Sequence, residues 1–235
     1  MQLPFFYIES FQPNEKIVTL NDENSRHIVQ VLRIQPGELL HLTDGKGTLL
    51  TAKIIDANKR HCTAEIVDSS FSQPSEPKVT IAISLLKNST RFEWFLEKAT
   101  EIGVAEIVPL ICLRTEKQKI RSDRMRGILT SAMLQSRQQW LPVFHEVQTF
   151  QHFISDERFK NVSSKFIAHC VDEEKSALKF DNKSSVILIG PEGDFTATEI
   201  DVALKAGYAP VSLGETRLRT ETAGLVAAVR LKLGN

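Results

Sequence analysis

Three cysteines in 235 residues are too few for a disulfide framework: Cys62, Cys112 and Cys170 are scattered and odd in number, which fits reduced core thiols in a cytosolic protein. The six histidines form no ligand pattern with them, so no structural metal is expected. No apolar run approaches the roughly 18 residues that would span a bilayer. The opening MQLPFFYIES lacks a charged start and a continuous apolar centre, so it does not read as a signal peptide. There is no internal repeat, no low-complexity tract and no G-x-G-x-x-G dinucleotide fingerprint. Net charge is absent too. With 29 basic and 29 acidic residues the chain is not coated in positive charge, although a local nucleic-acid surface remains open to it.

What is present falls into two patterns. Residues 1–70 read as a small β-rich domain, with strand candidates at 5–8, 17–20, 39–43, 49–55 and 62–67. Its one helical stretch is 24–34, where Ile28, Val31 and Leu32 form an apolar stripe that leaves Arg26, His27 and Arg33 outside. Pro36-Gly37 stops that helix, and Asp44-Gly45 and Asn58-Lys59 supply turns. The Ser- and Pro-rich SSFSQPSEP, residues 69–77, reads as a linker, with 71–77 as its body. Residues 78–235 then alternate: strands at 79–86, 106–111, 165–170, 186–189 and 211–213, and helices at 91–102, 123–138, 196–206 and 223–233. Phe92, Phe95, Leu96 and Ala99 share one helix face, Gly103 ends that helix, and Thr196 and Glu199 stand in capping-box spacing. This alternation predicts an α/β fold with a mostly parallel, doubly covered sheet. Residues 157–164 and 172–185 read as loop-rich.

Two strand ends carry the chemistry. VILIGPEGD, from Val186, ends in Gly190 and Gly193, where a backbone without side chains can approach a ligand closely. VSLGETRLRTETAGLVAAV, from Val211, breaks at Gly214 into a polar loop and then a small-residue helix. Adjacent edges of this kind suggest one small-molecule pocket; two ordinary strand ends with turn glycines are the plainer alternative. In the second loop Leu218 could lie on an adenine while Arg219 and Glu221 face a substrate, and Thr220 could cap the final helix. Lys87 and Arg91 put two cations at a strand-to-helix turn, and a bound anion would offset the clash of Arg91 with its helix dipole. Seven basic residues against two acidic ones over 114–137 make a local basic excess, read either as a solvated face or as an RNA contact.

LIGPEGDF (188–195) followed by LGETRLRTETA (213–223) resembles the paired signature of the RsmE family, ribosomal RNA methyltransferases of the SPOUT class that act on uracil N3 in small-subunit RNA. HIVQVLR (27–33), R-x-E-x-x-x-x-K-A-T-E-I-G (91–103) and Gln135-Ser136 with Pro142 extend the likeness over nearly the whole chain. Two departures stand out: Asp194 replaces a glycine common in the family, and Arg137-Gln138 replaces the more usual Gly-Arg. The resemblance implies a PUA-like β-barrel domain joined to a SPOUT α/β domain, whose C-terminal trefoil knot cradles S-adenosylmethionine. Periodicity says nothing of such a knot.

Carried onto this chain, the likeness implies cofactor contacts from Leu188, Gly190, Glu192 and Gly193, and from Leu213, Gly214, Leu218 and Thr222. It places Arg219 and Glu221 at the reacting base, although the sequence leaves open which residue removes the proton. Arg26, Arg33, Lys87, Arg91 and Arg121 become expected RNA contacts, with 16S rRNA or the small ribosomal subunit as partner. A cytoplasmic homodimer is expected, with the final helix contributing to the interface. Two rivals stand beside this reading: a nucleotide-dependent oxidoreductase, disfavoured by the missing G-x-G-x-x-G, and a non-catalytic RNA-binding protein of the same fold.

Overall fold

The computed structural model describes residues 2–12 and 14–234; Met1 and Asn235, the outermost residues of the expected domains, and Pro13 lie outside them. The chain divides into two compact units, one running up to Pro74 and including Met133–Leu141, the other made of Ser75–Ala132 and the residues from Pro142 onward.

The first unit contains β1 (Phe5–Tyr7), β2 (Ile17–Thr19), α1 (Asp22–Arg26), β3 (Leu39–Thr43), β4 (Thr48–Asp56) and β5 (Thr63–Phe71). Its sheet runs in the order β1-β3-β4-β5-β2, parallel between β1 and β3 and antiparallel elsewhere. Alternation along β3 and β4 turns Leu40, Leu42, Leu50, Ala52 and Ile54 inward against Phe6, Leu20 and Ile28. The helix expected over 24–34 is different. It is α-helical only through Arg26, then widens to a π turn at His27–Val31, with Leu32 N donating to His27 O. Five residues per loop rotate the apolar positions off one stripe. Ile28 stays fully buried, while Val31 and Leu32 are 68% and 43% exposed. Arg33 ends the turn at φ +56°. The linker reading also shortens, because Ser69, Ser70 and Phe71 pair with Thr48–Leu50 as the end of β5. Residues 133–141 join this unit through Leu141 N to Gly45 O (2.8 Å) and Trp140 Nε1 to Ser72 O (2.9 Å).

The second unit contains β6 (Val79–Ser84), α2 (Ser89–Ile102), β7 (Glu106–Ile111), α3 (Ser122–Gln135), β8 (Val143–Phe144), β9 (Gln148–Thr149), α4 (Phe150–Ser155), α5 (Glu157–Lys160), β10 (Ser164–Ala168), β11 (Ser176–Ala177), β12 (Ser185–Ile189), α6 (Ala197–Lys205), β13 (Ala209–Ser212) and α7 (Thr220–Leu233). All its strand pairs are parallel, in the order β11-β13-β10-β12-β6-β7-β8, with β9 also on β7. β6 and β12 are buried along their whole lengths, the pattern of a doubly covered parallel sheet. α2 starts at Asn88, whose side chain accepts from Thr90 N, and stops at Gly103 in the left-handed region. Thr196 and Glu199 form the capping box of α6. Phe92 and Phe95 are essentially enclosed, each contributing about 1.5–3 kcal/mol by burial.

Gly224 lets α7 lie directly on this core. A Cβ there would stand 2.7 Å from the Phe95 ring and 2.9 Å from Ile83, and Ala227 and Ala228 are fully buried on the same helix. The small-residue face of α7 is thus used inside the chain. Several expected boundaries move. α3 ends at Gln135, β10 ends at Ala168, and α7 begins at Thr220 with Arg219 as N-cap and no side-chain capping bond, so Thr220 does not cap it. Within the stretches read as loop, α5 and β11 form. Among the described residues no helix is long and apolar enough to cross a membrane, and no group of three or more His, Cys, Asp or Glu could hold a metal ion.

Candidate active site

β10 lies between β12 and β13, so the chain leaves β10 for one neighbour and then crosses back to the other side. In parallel sheets such a reversal opens a crevice at the carboxyl ends of the strands, where ligands bind. Two adjoining pockets of about 370 and 280 Å3 occupy that place, sharing Cys170, Arg217, Leu218 and Ala223. Three loops wall the groove, following β10, β12 and β13.

The loop after β12 is fixed by Asp194, which sits at φ +64°. Its carboxylate accepts from Cys170 N and Phe195 N, each at 2.8 Å, and so ties the ends of β12 and β10 together. A glycine would adopt this conformation freely; aspartate tolerates it while adding the tether. The other family departure behaves alike, since Arg137 also has a positive φ, +56°. Gly190 is needed for close packing, because a Cβ there would meet the Phe195 ring at 3.0 Å. Gly214, at φ +146°, turns the chain out of β13.

Of the sequence-derived cofactor residues, Gly190, Glu192, Leu213, Gly214 and Leu218 line the groove, and Arg219 lies on its wall. Others do not. The Leu188 side chain is wholly inside the core, so only its backbone borders the strand end. Thr222 is half-buried on α7 and outside the groove lining. Gly193 faces Arg114, whose Nη1 donates to Gly193 O at 2.8 Å; a Cβ at Gly193 would lie 3.4 Å from Arg114 Cδ, not in the groove. Glu221 is only 6% exposed, with Oε1 3.7 Å from Arg91 Nε and Oε2 buried without a hydrogen-bond partner. The anion beside Arg91 at the start of α2 is therefore a carboxylate of this chain. Lys87 is exposed and paired with Glu116 at 2.8 Å, while its backbone N donates to Glu192 Oε1 at 3.2 Å. Arg26, Arg33 and Arg121 are exposed.

Sequence reasoning passed over His169. It lines the groove beside Lys175 and is 7% exposed, and neither ring nitrogen has a hydrogen-bond partner. Burial, then the Lys175 charge, lowers its pKa below the ordinary 6.5, so the ring is neutral at pH 7. Neutral imidazole offers one donor and one acceptor. Cys170, expected as a core thiol, is instead exposed in the groove because β10 ends two residues before it. Cys62 and Cys112 are buried, and burial pushes the Cys112 thiol up to about 12.

Residues 73–232 match the RNA methyltransferase domain family, and residues 20–67 match the RNA methyltransferase PUA domain family. Over 228 residues the chain is 34% identical to the ribosomal RNA small subunit methyltransferase E of Synechocystis, covering 92% of this chain and 73% of that protein. The chain belongs to the RsmE family. A Porphyromonas gingivalis structure described as a probable rRNA-methyltransferase superposes with TM-score 0.88 at 40% identity, covering 96% of this chain and 95% of the other. The Neisseria gonorrhoeae RsmE structure, bound to S-adenosylmethionine, superposes with TM-score 0.82 at 29% identity, over 97% and 96% of the two chains. The RsmE architecture, a PUA-like domain and a SPOUT-type α/β methyltransferase domain, is the one described above.

The groove residues fit S-adenosylmethionine. Leu213, Leu218 and Pro191 give apolar surface for an adenine, and the unpaired His169 nitrogens await a donor and an acceptor. Lys175, Arg217, Glu215 and Glu192 offer both signs of charge to a zwitterionic amino-acid end.

Proposed function

We propose that this protein methylates N3 of a uridine in 16S rRNA of the small ribosomal subunit, using S-adenosylmethionine. The observation that carries the reading is the groove at the ends of β10, β12 and β13, where His169 presents two buried nitrogens that lack partners, with the buried and unpartnered Glu221 Oε2 next in the chain to the groove residue Thr220. Leaving such atoms unpaired costs about 1–3 kcal/mol each, and a bound ligand supplies what is missing.

S-adenosylmethionine supplies a methyl group on a sulfonium, which is already electrophilic. What the chain must do is position that group and make uracil N3 nucleophilic. His169 and the β12 and β13 loops hold the donor, and the Asp194 tether keeps two of the three loops in register. Arg219, exposed on the groove wall, offers its guanidinium to the uracil oxygens as N3 loses its proton. Glu221 accepts that proton on Oε2, while Arg91 holds its other oxygen at 3.7 Å. The target base leaves its stack to reach the groove. Arg26 and Arg33 in the first unit, and Lys87 and Arg121 in the second, contact phosphates, while Arg91, expected among them, is engaged by Glu221.

In this reading residues 1–70 are the RNA-binding PUA-like domain, 71–77 a linker and 78–235 the catalytic domain, whose last segment forms the trefoil knot. The protein works in the cytoplasm as a homodimer. The α7 positions Val229 and Leu233, 37% and 66% exposed, supply apolar surface for that contact. Isothermal titration tests the cofactor: saturable binding of S-adenosylmethionine and none of NAD(P) is expected. The reverse result supports the oxidoreductase rival, and binding of neither supports a plain RNA binder.

A further inference from the structure

A larger pocket lies in the second unit, apart from the cofactor groove and sharing no lining residue with it. It measures about 480 Å3, within the range of small-ligand sites. Its floor is apolar, formed by Leu86, Phe92, Ile120 and Met125. Its rim carries Lys117, Lys119, Arg121 and Arg124 against the single carboxylate of Glu93. Glu93 is taken by Arg124, which donates to both its oxygens at 2.6 and 2.8 Å. Lys117, Lys119 and Arg121 have no carboxylate within ion-pair distance among the described residues. Three uncompensated cations around a greasy floor suit a ligand with a flat apolar face and attached anions, which is the make-up of an unstacked nucleotide.

Two links join this pocket to the cofactor groove. Thr90 lines the pocket, and its neighbour Arg91 pairs with Glu221, next to the groove residues Arg219 and Thr220. Glu116, next to the pocket residue Lys117, pairs with Lys87, whose backbone is held by the groove residue Glu192. The pocket thus stands one ion pair away from the place where the target base enters.

We infer that this pocket is a second nucleotide subsite, which seats an unstacked nucleotide of the substrate RNA flanking the methylated one and holds its phosphates with Lys117, Lys119 and Arg121. The inference rests on the RNA reading above. Its consequence is that the RNA strand is gripped on both sides of the Arg91–Glu221 pair.

The full-length chain is titrated with naked 16S rRNA and with small ribosomal subunits, and separately with S-adenosylmethionine. Ile120→Trp fills the pocket without changing charge. It is expected to weaken RNA binding at least tenfold, leaving the cofactor affinity unchanged. Lys117→Gln/Lys119→Gln tests the same site without steric change. It should lower the slope of log affinity against log salt by about 1.4, since each phosphate contact on a single strand contributes about 0.7. Wild-type RNA affinity in Ile120→Trp, with normal cofactor binding, overturns the subsite and leaves the methyl-transfer reading intact. Loss of binding to assembled subunits but not to naked rRNA assigns the pocket to a ribosomal protein, and also overturns it. If RNA binding collapses in Ile120→Trp while the wild-type chain never binds S-adenosylmethionine, the subsite stands and the methyl-transfer reading falls.

Discussion

Replacing Asp194 separates the two things this residue does. It holds a left-handed backbone at φ +64°, and it ties the ends of β10 and β12 through the bond from Cys170 N at 2.8 Å. A backbone amide donated to a charged acceptor contributes about 1.5–3 kcal/mol, and the half-exposed setting puts this one at about 1.5. The left-handed conformation costs a non-glycine residue roughly 1–2 kcal/mol. Asp194→Gly loses the tether and recovers most of that strain, so its stability to urea should stay within about 1 kcal/mol of wild type. Asp194→Ala loses the tether and keeps the strain, so it should fall by about 1.5 kcal/mol. Both variants free the two loops that wall the groove. If the full 1.5 kcal/mol is felt on binding, the Kd for S-adenosylmethionine rises about tenfold in each. Stability should therefore rank wild type, Gly, Ala, while cofactor affinity groups Gly with Ala. Wild-type affinity in either variant, or equal stability of Gly and Ala, refutes the reasoning.

Arg219→Ala should reduce turnover by roughly 100-fold while leaving S-adenosylmethionine affinity within a few fold; loss of cofactor binding in a folded variant makes Arg219 a cofactor ligand instead. Glu221→Gln should lose activity that is partly recovered at higher pH; a loss independent of pH reduces Glu221 to a structural partner of Arg91. His169 is held neutral by burial, so on acidifying below its ordinary 6.5 the unfolded chain takes up a proton before the folded one, and stability falls. His169→Gln should flatten that part of the pH–stability curve and weaken cofactor binding; an unchanged slope in urea titrations from pH 5 to 6.5 contradicts it. Gly224→Ala gains about 1 kcal/mol of helix propensity but forces α7 off Phe95 and Ile83, an overpacking cost of about 1–3 kcal/mol. Net destabilisation with reduced turnover is expected, and a variant more stable than wild type argues against it.

The second unit was the more legible in sequence because its signals are local. Phe92, Phe95, Leu96 and Ala99 recur with the helical period, Gly103 stops the helix, and Thr196 with Glu199 caps another. The widened turn at His27–Val31 was not legible, since the apolar spacing of Ile28, Val31 and Leu32 suits a regular helix and only tertiary packing selects Ile28 alone for burial. The two-residue strands β8, β9 and β11 are too short for any period to show. Residues 133–141 join the first unit through contacts of Trp140 and Leu141 with residues far away in the chain. At the site, glycines and alternating charges marked the β12 and β13 loops correctly as neighbours. They could not tell that Leu188 points into the core, that Gly193 is covered by Arg114, or that Glu221 is enclosed beside Arg91. His169 carries no motif. Its meaning comes from burial at the end of β10 with both nitrogens unpaired, which only the folded chain displays.

The measurement that bears most directly on the central claim uses small ribosomal subunits from cells lacking this protein, incubated with the purified chain and S-adenosylmethionine carrying an isotopic methyl label. The 16S rRNA is then digested to nucleosides and analysed by mass spectrometry. The account requires label in 3-methyluridine, at one site, and its loss with Arg219→Ala. Label in any other nucleoside, or no transfer by a chain that binds both S-adenosylmethionine and the subunit, contradicts it.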